Sequence, residues 1–340
     1  MPKTTYKEHP MTTMTFLAEH ACLSSSINGA VDAFSIANIF WKILGGKGEE
    51  PLFQTHVVTV DGKPVTANGG LIVQPDHVMD DSHITDVIII PAFFAPFSFD
   101  NDRGDAICGW LRAQHEKGTL IASTCTGSFL LARSGLLSGR LATTNWQFAH
   151  YFQKRYPDIH LRIDRIFTED GGIYCTGAAT AFMDLCLHFI EKFGSRDLAR
   201  RCAKSLLIDP DRQEQTPYIV YDFWKKHSDT DVLKSQTWME DNYALKLSIQ
   251  GIAEKAGISP RHFIRRFKKA TGEPPLAYLQ LLRIENAKRR LETTRDSVNE
   301  ITWKVGYEDI NSFRRLFKKH TGMSPRDYRD KFSFQPRQSF

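Results

Sequence analysis

Two sets of residues in this 340-residue chain have the types and spacing that chemistry needs. The first is basic and aromatic. Phe263, Phe267, Lys268, Lys269, Thr271, Gly272, Pro275 and Tyr278 recur 50 positions on as Phe313, Phe317, Lys318, Lys319, Thr321, Gly322, Pro325 and Tyr328. Ile252, Ala256 and Gly257 recur as Ile301, Val305 and Gly306, 49 positions on. A register that holds through two helices and slips by one residue in the turn between them marks a duplicated helix-turn-helix. Ser259 and Pro260 form an N-cap and N1 pair opening the second helix of the first copy, and Asp309 caps its counterpart. Phe263, Ile264 and Phe267 are expected to face inward, as are Phe313, Leu316 and Phe317. That leaves Arg261, His262, Arg265 and Lys268 in one copy, and Asn311, Ser312, Arg315 and Lys318 in the other, for solvent or DNA. Arg265 and Arg315 suit bidentate hydrogen bonds to guanine and Asn311 suits adenine, while the paired lysines a turn further on suit phosphate. One basic helix alone would read as a solvated face; two with matching arginines, caps and turns favour double-stranded DNA.

The second set surrounds Cys125. An apolar strand ends at Thr124, Cys125 follows, and a helix opens with Gly127 close behind, which is the strand-to-helix arrangement of a nucleophile elbow. A thiol at a helix N-terminus is biased toward thiolate, which would make Cys125 reactive, as a nucleophile or a redox sensor; the plainer reading of a cysteine at a strand-helix junction is a small buried residue. A nucleophile also needs a base. Thr126 and Asn145 cannot accept a proton near neutral pH, and His115 and His150 sit in helical stretches where a plain polar role suffices. No catalytic residue is assigned, and the chain is not expected to be an enzyme; the alternative is a Cys125-dependent amidase or hydrolase, or a redox sensor, fused to a DNA-binding domain. The same elements imply a ligand pocket at the carboxyl ends of the strands, built from Asp32, Phe93, Phe94, Cys125, Asn145 and Trp146. A carboxylate, an amide and aromatic walls suit a small amine, amino acid or quaternary ammonium effector. Each member has a plainer reading, Asp32 as a helix-terminal charge and the aromatics as core.

Behind these residues stand the elements that position them. β-rich runs at 15–24, 54–60, 86–91 and 119–124 alternate with helical patterns at 29–44, 101–117 and 127–137, which implies an open, doubly wound sheet. A hairpin is expected around Asp170-Gly171-Gly172, then helices at 178–193 and 195–207. The stretch 209–230 loses periodicity and reads as an interdomain connection, although Tyr218, Tyr221, Phe223 and Trp224 argue that it packs on a domain rather than hanging free. A single helix over 275–291 spaces the two DNA-reading units.

Charge divides the chain in the same place. Residues 231–340 hold 22 Lys and Arg against 13 Asp and Glu, while residues 1–230 hold 22 against 26, so the net +5 is concentrated at the end that carries the repeat. That end suits a polyanion; the rest needs another partner. Six scattered cysteines show no metal-ligand or disulfide spacing, and no metal or cofactor is expected. No apolar run has membrane-spanning length and the first residues lack a signal-peptide core, so a cytoplasmic protein without membrane association is expected.

The motifs GISPRHFIRRFKKATGEPPLAYLQLLRIENAKRRL and VGYEDINSFRRLFKKHTGMSPRDYR, within residues 231–331, resemble the AraC/XylS-type DNA-binding domain. That resemblance implies base contacts at Arg261, Arg265, Asn311 and Arg315, and a transcriptional regulator, usually an activator, working with RNA polymerase. Residues 14–208, with GTLIASTCTGSFLLARSGLLSGRLATTNW, resemble the PfpI-like, class I glutamine-amidotransferase-like domain. Together the two look like the GlxA type of AraC-family regulator: an α/β, flavodoxin-like doubly wound sensor domain joined to an all-α double helix-turn-helix domain, as a homodimer. The resemblance also places Asp32 as the acidic partner of the elbow cysteine. Two departures stand out: Thr126 where hydrolytic branches commonly carry His, and Asn145 where the regulator branch often does.

Overall fold

A computed structural model describes residues 11–44, 50–80, 84–94, 99–209, 212–221, 223 and 225–333. Its contacts divide the chain into two units, Met1–Gln215 and Thr216–Phe340. The division falls inside the stretch 209–230 that the sequence marks as a connection; Trp224 lies outside the described residues.

The first unit is built on a seven-stranded sheet in the order β10-β11-β7-β6-β1-β2-β5. Its strands are β1 (Thr12–Leu17), β2 (Phe53–Thr59), β5 (His77–Val78), β6 (Val87–Ile90), β7 (Leu120–Thr124), β10 (Phe167–Asp170) and β11 (Ile173–Thr176). Two short pairs, β3 (Val65–Thr66) with β4 (Ile72–Val73) and β8 (Leu141–Ala142) with β9 (His160–Leu161), lie beside it. All neighbours in the large sheet run parallel except β10, which returns antiparallel on β11. The central run β2-β1-β6-β7-β11 is the flavodoxin-like order, with helices on both faces. Parallel strands covered on both sides read as continuous apolar runs, and all four residues of β6 are buried.

Helix α1 (Ser25–Ile43) buries Ala30, Ala33, Phe34 and Ala37, the i, i+3, i+4, i+7 stripe of a core-facing helix. Asn38 on the same helix clamps the start of β2, its amide bonding both the N–H and the C=O of Phe53. Helices α2 (Asp102–Glu116), α3 (Ser128–Arg133), α4 (Ala149–Arg155), α5 (Phe182–Phe193) and α6 (Arg196–Ser205) complete the unit.

Three boundaries differ from the sequence reading. The first strand covers 12–17 rather than 15–24, because the chain turns at Ala21, which has φ +60°, and Cys22 then bridges antiparallel to Phe93. Helix α1 starts at Ser25, ahead of 29. The helix expected over 127–137 ends at Arg133, two residues before Gly135 with φ +82°.

The second unit is all helical: α7 (Thr230–Asn242), α8 (Ile249–Lys255), α9 (Pro260–Thr271), α10 (Pro275–Thr293), α11 (Val298–Lys304), α12 (Ile310–Thr321) and α13 (Pro325–Phe332). It holds two separate apolar clusters, one on Phe263 and Phe267 and one on Phe313 and Phe317, both fed by α10. The connection is docked here: Tyr218 meets Phe332 edge-on, Phe223 meets Tyr278, and Ile219 offers its carbonyl to the buried ammonium of Lys288. Among the described residues no helix is long and apolar enough to cross a membrane.

Candidate functional site

The repeat in sequence is a repeat in geometry. In each copy the two phenylalanine rings pack in a tilted pair at 5.4 and 5.6 Å, and the second meets a tyrosine edge-on at 5.2 and 5.4 Å. Thr271 and Thr321 each donate a hydroxyl hydrogen bond back to that phenylalanine's carbonyl at 2.8 Å, and Gly272 and Gly322 end the helices in the left-handed conformation. Tyr278 and Tyr328 then donate to Glu240 and Glu292. These aromatic, threonine, glycine and tyrosine anchors of α9 in the first core therefore have counterparts fixing α12 in the second.

Outside those anchors lie the sequence-predicted DNA contacts. Arg261, His262, Arg265, Lys268, Asn311, Arg315 and Lys318 are exposed. Ser312 is half-buried, and both its N–H and its hydroxyl engage the N-cap carboxylate of Asp309. The matching Ser259 is an N-cap by position but makes no side-chain cap bond. Ile264, expected inward, is 41% exposed, because each residue turns 100° from its neighbour and the core side is centred on Phe263 and Phe267. Arg266, half-buried on the shoulder of α9, is held by Asp229 at 2.7 and 2.9 Å and by Asp231 at 2.9 Å, so it braces α9 against α7. The corresponding residue in α12 is Leu316, half-buried. Among the described residues no ion pair ties up Arg261, Arg265, Lys268, Arg315 or Lys318, which leaves their charge available to phosphate or base edges.

Sequence inspection missed Arg283. From α10 it donates to the carbonyls of Tyr243 and Leu245, at 2.8 and 2.9 Å, and lies over the Tyr307 ring at 5.2 Å. Burial lowers its pKa from the usual guanidinium range. One side chain thus ties the entry to the first helix-turn-helix to the turn of the second.

In the α/β unit the elbow forms as a 3-10 turn, Cys125–Gly127, leading into α3. Cys125 has φ +52°, a left-handed conformation that costs a non-glycine residue roughly 1 to 2 kcal/mol. A polar lattice holds it there. Its carbonyl accepts hydroxyl hydrogen bonds from Ser128 at 3.0 Å and Thr144 at 3.2 Å, and those two hydroxyls meet at 2.7 Å. Thr126 donates its hydroxyl to the Phe93 carbonyl and accepts the Phe93 N–H, which ties the elbow to the loop after β6. Gly127 allows the close approach: a Cβ there would lie 2.4 Å from the Pro91 carbonyl oxygen.

The structure brings some of the expected pocket together and not the rest. Asn145 points its amide nitrogen at the Cys125 sulfur, 3.5 Å away, while its oxygen caps the following turn through the Gln147 N–H. Phe93 is buried and joined through Thr126; Trp146 is half-buried beside Asn145; Phe94 is half exposed. Asp32 lies on the exposed side of α1, next to the buried Ala33. The buried carboxylate on the loop after β1 is Glu19 instead, ion-paired to Arg103 at 3.0 Å. Glu19 escaped notice because the strand was expected to run on through it.

The thiol is not primed. Burial pushes Cys125 above the usual thiol range, outweighing the hydrogen bonds from Asn145 and Thr126 that favour thiolate. The helix-terminal bias expected from sequence therefore loses to desolvation. His115 sits near Gly172 and Leu120, at the start of β7 and so at the opposite end of that strand from the elbow, and His150 is exposed.

Comparison with known proteins agrees with both halves. The DJ-1/PfpI family matches residues 45–192 and a helix-turn-helix domain family matches residues 252–331. The chain is 27% identical over 307 residues to the HTH-type transcriptional regulator GbdR of Pseudomonas aeruginosa, covering 89% of this chain and 80% of that one. It is 29% identical over 208 residues to isonitrile hydratase of Pseudomonas putida, covering 59% and 88%. Among solved structures, a protein of Vibrio parahaemolyticus described as a transcriptional regulator matches with a TM-score of 0.51 and 26% identity, over 57% of this chain and 98% of that one.

Proposed function

We propose that the chain, which joins a DJ-1/PfpI-type domain to a helix-turn-helix domain, is a transcriptional regulator of AraC type that reads two half-sites on one duplex under control of a small effector. One observation carries the DNA reading: two exposed basic helices, α9 and α12, each locked by the same anchors to its own core and bridged by α10. At 19 residues α10 is about 28 Å long, comparable to the roughly 34 Å between successive major grooves on one face of DNA. Arg261, Arg265, Asn311 and Arg315 contact bases, and Lys268 and Lys318 contact phosphate. Selection of duplexes from a random pool by the purified full chain tests this. Recovery of a two-part motif with about one helical turn between the parts is expected; recovery of no motif overturns it.

The effector reading rests on the lattice around Cys125 and Asn145. A small nitrogen compound seated at the carboxyl ends of β6 and β7, against Asn145, Phe93 and Trp146, would be recognised by amide hydrogen bonding and aromatic walls. Binding changes DNA affinity, and the bound state activates transcription from a homodimer in contact with RNA polymerase. Thermal shifts of the full chain with amino acids, polyamines and betaines test it, with Asn145→Ala as the control. A stabilising compound whose effect is lost in that variant supports the assignment; an equal shift in the variant removes Asn145 from the site. Similarity to isonitrile hydratase favours a second reading, catalysis through Cys125. Burial that raises the Cys125 pKa, and neighbours Asn145 and Thr126 that cannot act as a base, weigh against that reading. Turnover of an isonitrile abolished by Cys125→Ser would establish it.

A further inference from the structure

A cleft of the α/β unit lies away from the elbow, between β10, α5, α6 and the departing segment 212–213, with a volume of about 630 Å³. Its ionic lining is Arg165, Arg196, Arg200 and Arg212 against Asp184 and Glu191. Arg212 is spent on Asp184, at 2.5 Å in a half-buried ion pair. Arg165, Arg196 and Arg200 then stand with Glu191 in the lining, more guanidinium than carboxylate.

Two of the three are placed against local electrostatics. Arg196 is the first residue of α6, where a cation opposes the helix dipole, and Arg200 follows at i+4, where like charges repel. Next to them on the same helix, Arg201 is compensated by Asp197 at 3.1 Å. Arg196 and Arg200 are exposed and have no ion-pair partner among the described residues. Arg165, half-buried, leans on Asp164 at 3.7 Å, a carboxylate already held by Arg162 at 2.6 Å. Folding leaves this charge unsatisfied, and a planar guanidinium fork is matched by a carboxylate or phosphate.

We propose that this cleft is a second small-molecule site, taking a compact dianion that carries carboxylate or phosphate groups and is held by Arg196 and Arg200. A cavity of this volume fits a metabolite of ordinary size. Hydrogen bonds tie its floor to the elbow lattice. Ile166 donates its N–H to the Gln213 carbonyl at 3.1 Å, and Gln215 donates to the Asp164 carbonyl at 3.0 Å. Two residues past the cleft, the Gln215 amide reaches Thr143 and the Thr144 carbonyl, within the lattice that holds Cys125. A dianion in the cleft therefore fixes the last segment of the domain before the chain passes into the DNA-binding unit.

The test is calorimetric titration of the full chain with succinate and with inorganic phosphate at matched ionic strength, with acetate as the monovalent control. Saturable binding of at least one dianion is expected, with Arg196→Gln and Arg200→Gln each weakening it about ten-fold, the loss of one charge-assisted pair. Arg201→Gln, on the same helix but outside the cavity, leaves it unchanged. Preference for succinate identifies a dicarboxylate site and preference for phosphate a phosphate-ester site. The proposal falls if neither dianion saturates, if Arg201→Gln weakens binding as much, or if the Arg196 and Arg200 variants bind like the parent, which would seat the anion on the basic helices of the other unit. Thermal unfolding of each variant without ligand, expected to match the parent, separates loss of site from loss of fold. A nitrogen effector at Asn145 stands or falls independently of these outcomes.

Discussion

Arg265 and Arg315 occupy equivalent places on α9 and α12, and each is exposed two residues from fully buried phenylalanines on the opposite side of the helix. Replacing either with Ala is expected to cost about 1 to 3 kcal/mol of specific binding and to relax preference at a different base. Lys319→Ala is expected to weaken specific and random duplexes alike and to flatten the salt dependence. Anisotropy titrations on both kinds of DNA at several salt concentrations separate the two; equal losses for the arginine variants would make them phosphate contacts. At Cys125 the sign of the shift makes another prediction. A thiol whose folded pKa is raised by burial stays protonated through the ordinary thiol range. Alkylation of the native protein should therefore be slower than that of a free thiol at pH 8 and should rise only at higher pH; mass mapping of Cys125 under iodoacetamide reads this directly. Fast labelling near neutral pH would mean that water enters the elbow. The motif around Cys125 was legible because a strand, a cysteine and a glycine in succession encode backbone geometry. The thiol's raised pKa was not, because it depends on burial, which only the tertiary fold creates, outweighing the hydrogen bonds from Asn145 and Thr126.

Elements show how duplication constrains sequence. Gly257 and Gly306 occupy equivalent turns with φ +68° and +85°. A Cβ at Gly306 would meet the backbone of Ala244 at 2.7 Å, whereas at Gly257 it would enter open space. Gly257→Ala should cost about 1 to 2 kcal/mol, the left-handed penalty alone. Gly306→Ala should cost more, because Ala244 must also move; urea unfolding of the two variants gives the comparison, and equal midpoints would refute the packing account. Asp309→Ala should remove about 0.5 to 2 kcal/mol, since its carboxylate caps α12 through the Ser312 N–H, while Ser259→Ala should change little because Ser259 makes no such bond. Helices α9 and α12 were readable from their spacing of aromatic and basic residues, and β6 and β7 from unbroken apolar runs. The short strands β3, β4, β5, β8 and β9 were not, since two residues carry no period. Arg266 looked like one more basic residue on α9; its role as a brace depends on Asp229 and Asp231, more than thirty positions away.

Across the whole molecule, charge and packing divide at the same place. The excess of Lys and Arg sits in the segment whose helices hold two cores of their own, and Ile219 and Phe223 of the connection are docked on that same unit. Among the described residues both helical cores are built from side chains of residues 216–340. A fragment of residues 216–340 is therefore expected to fold alone and to keep both sequence preference and the salt slope of the full chain. Its logarithmic affinity should fall with log salt by about 0.9 per phosphate neutralised. What it should lose is any change of DNA affinity on adding an effector or a dianion, since Cys125, Asn145, Arg196 and Arg200 all lie in the other unit. Gln215 stands at the division, its amide nitrogen bonded to Thr143, Thr144 and Arg165. In the full chain, Gln215→Leu keeps the bulk and removes those bonds. It is expected to leave basal DNA binding and effector binding near the parent values while reducing the coupling between them. Measuring effector affinity with and without saturating DNA decides it, because coupling is reciprocal and the ratio of the two affinities is the quantity that should shrink. An unchanged ratio would place the transmitting contact elsewhere in the connection.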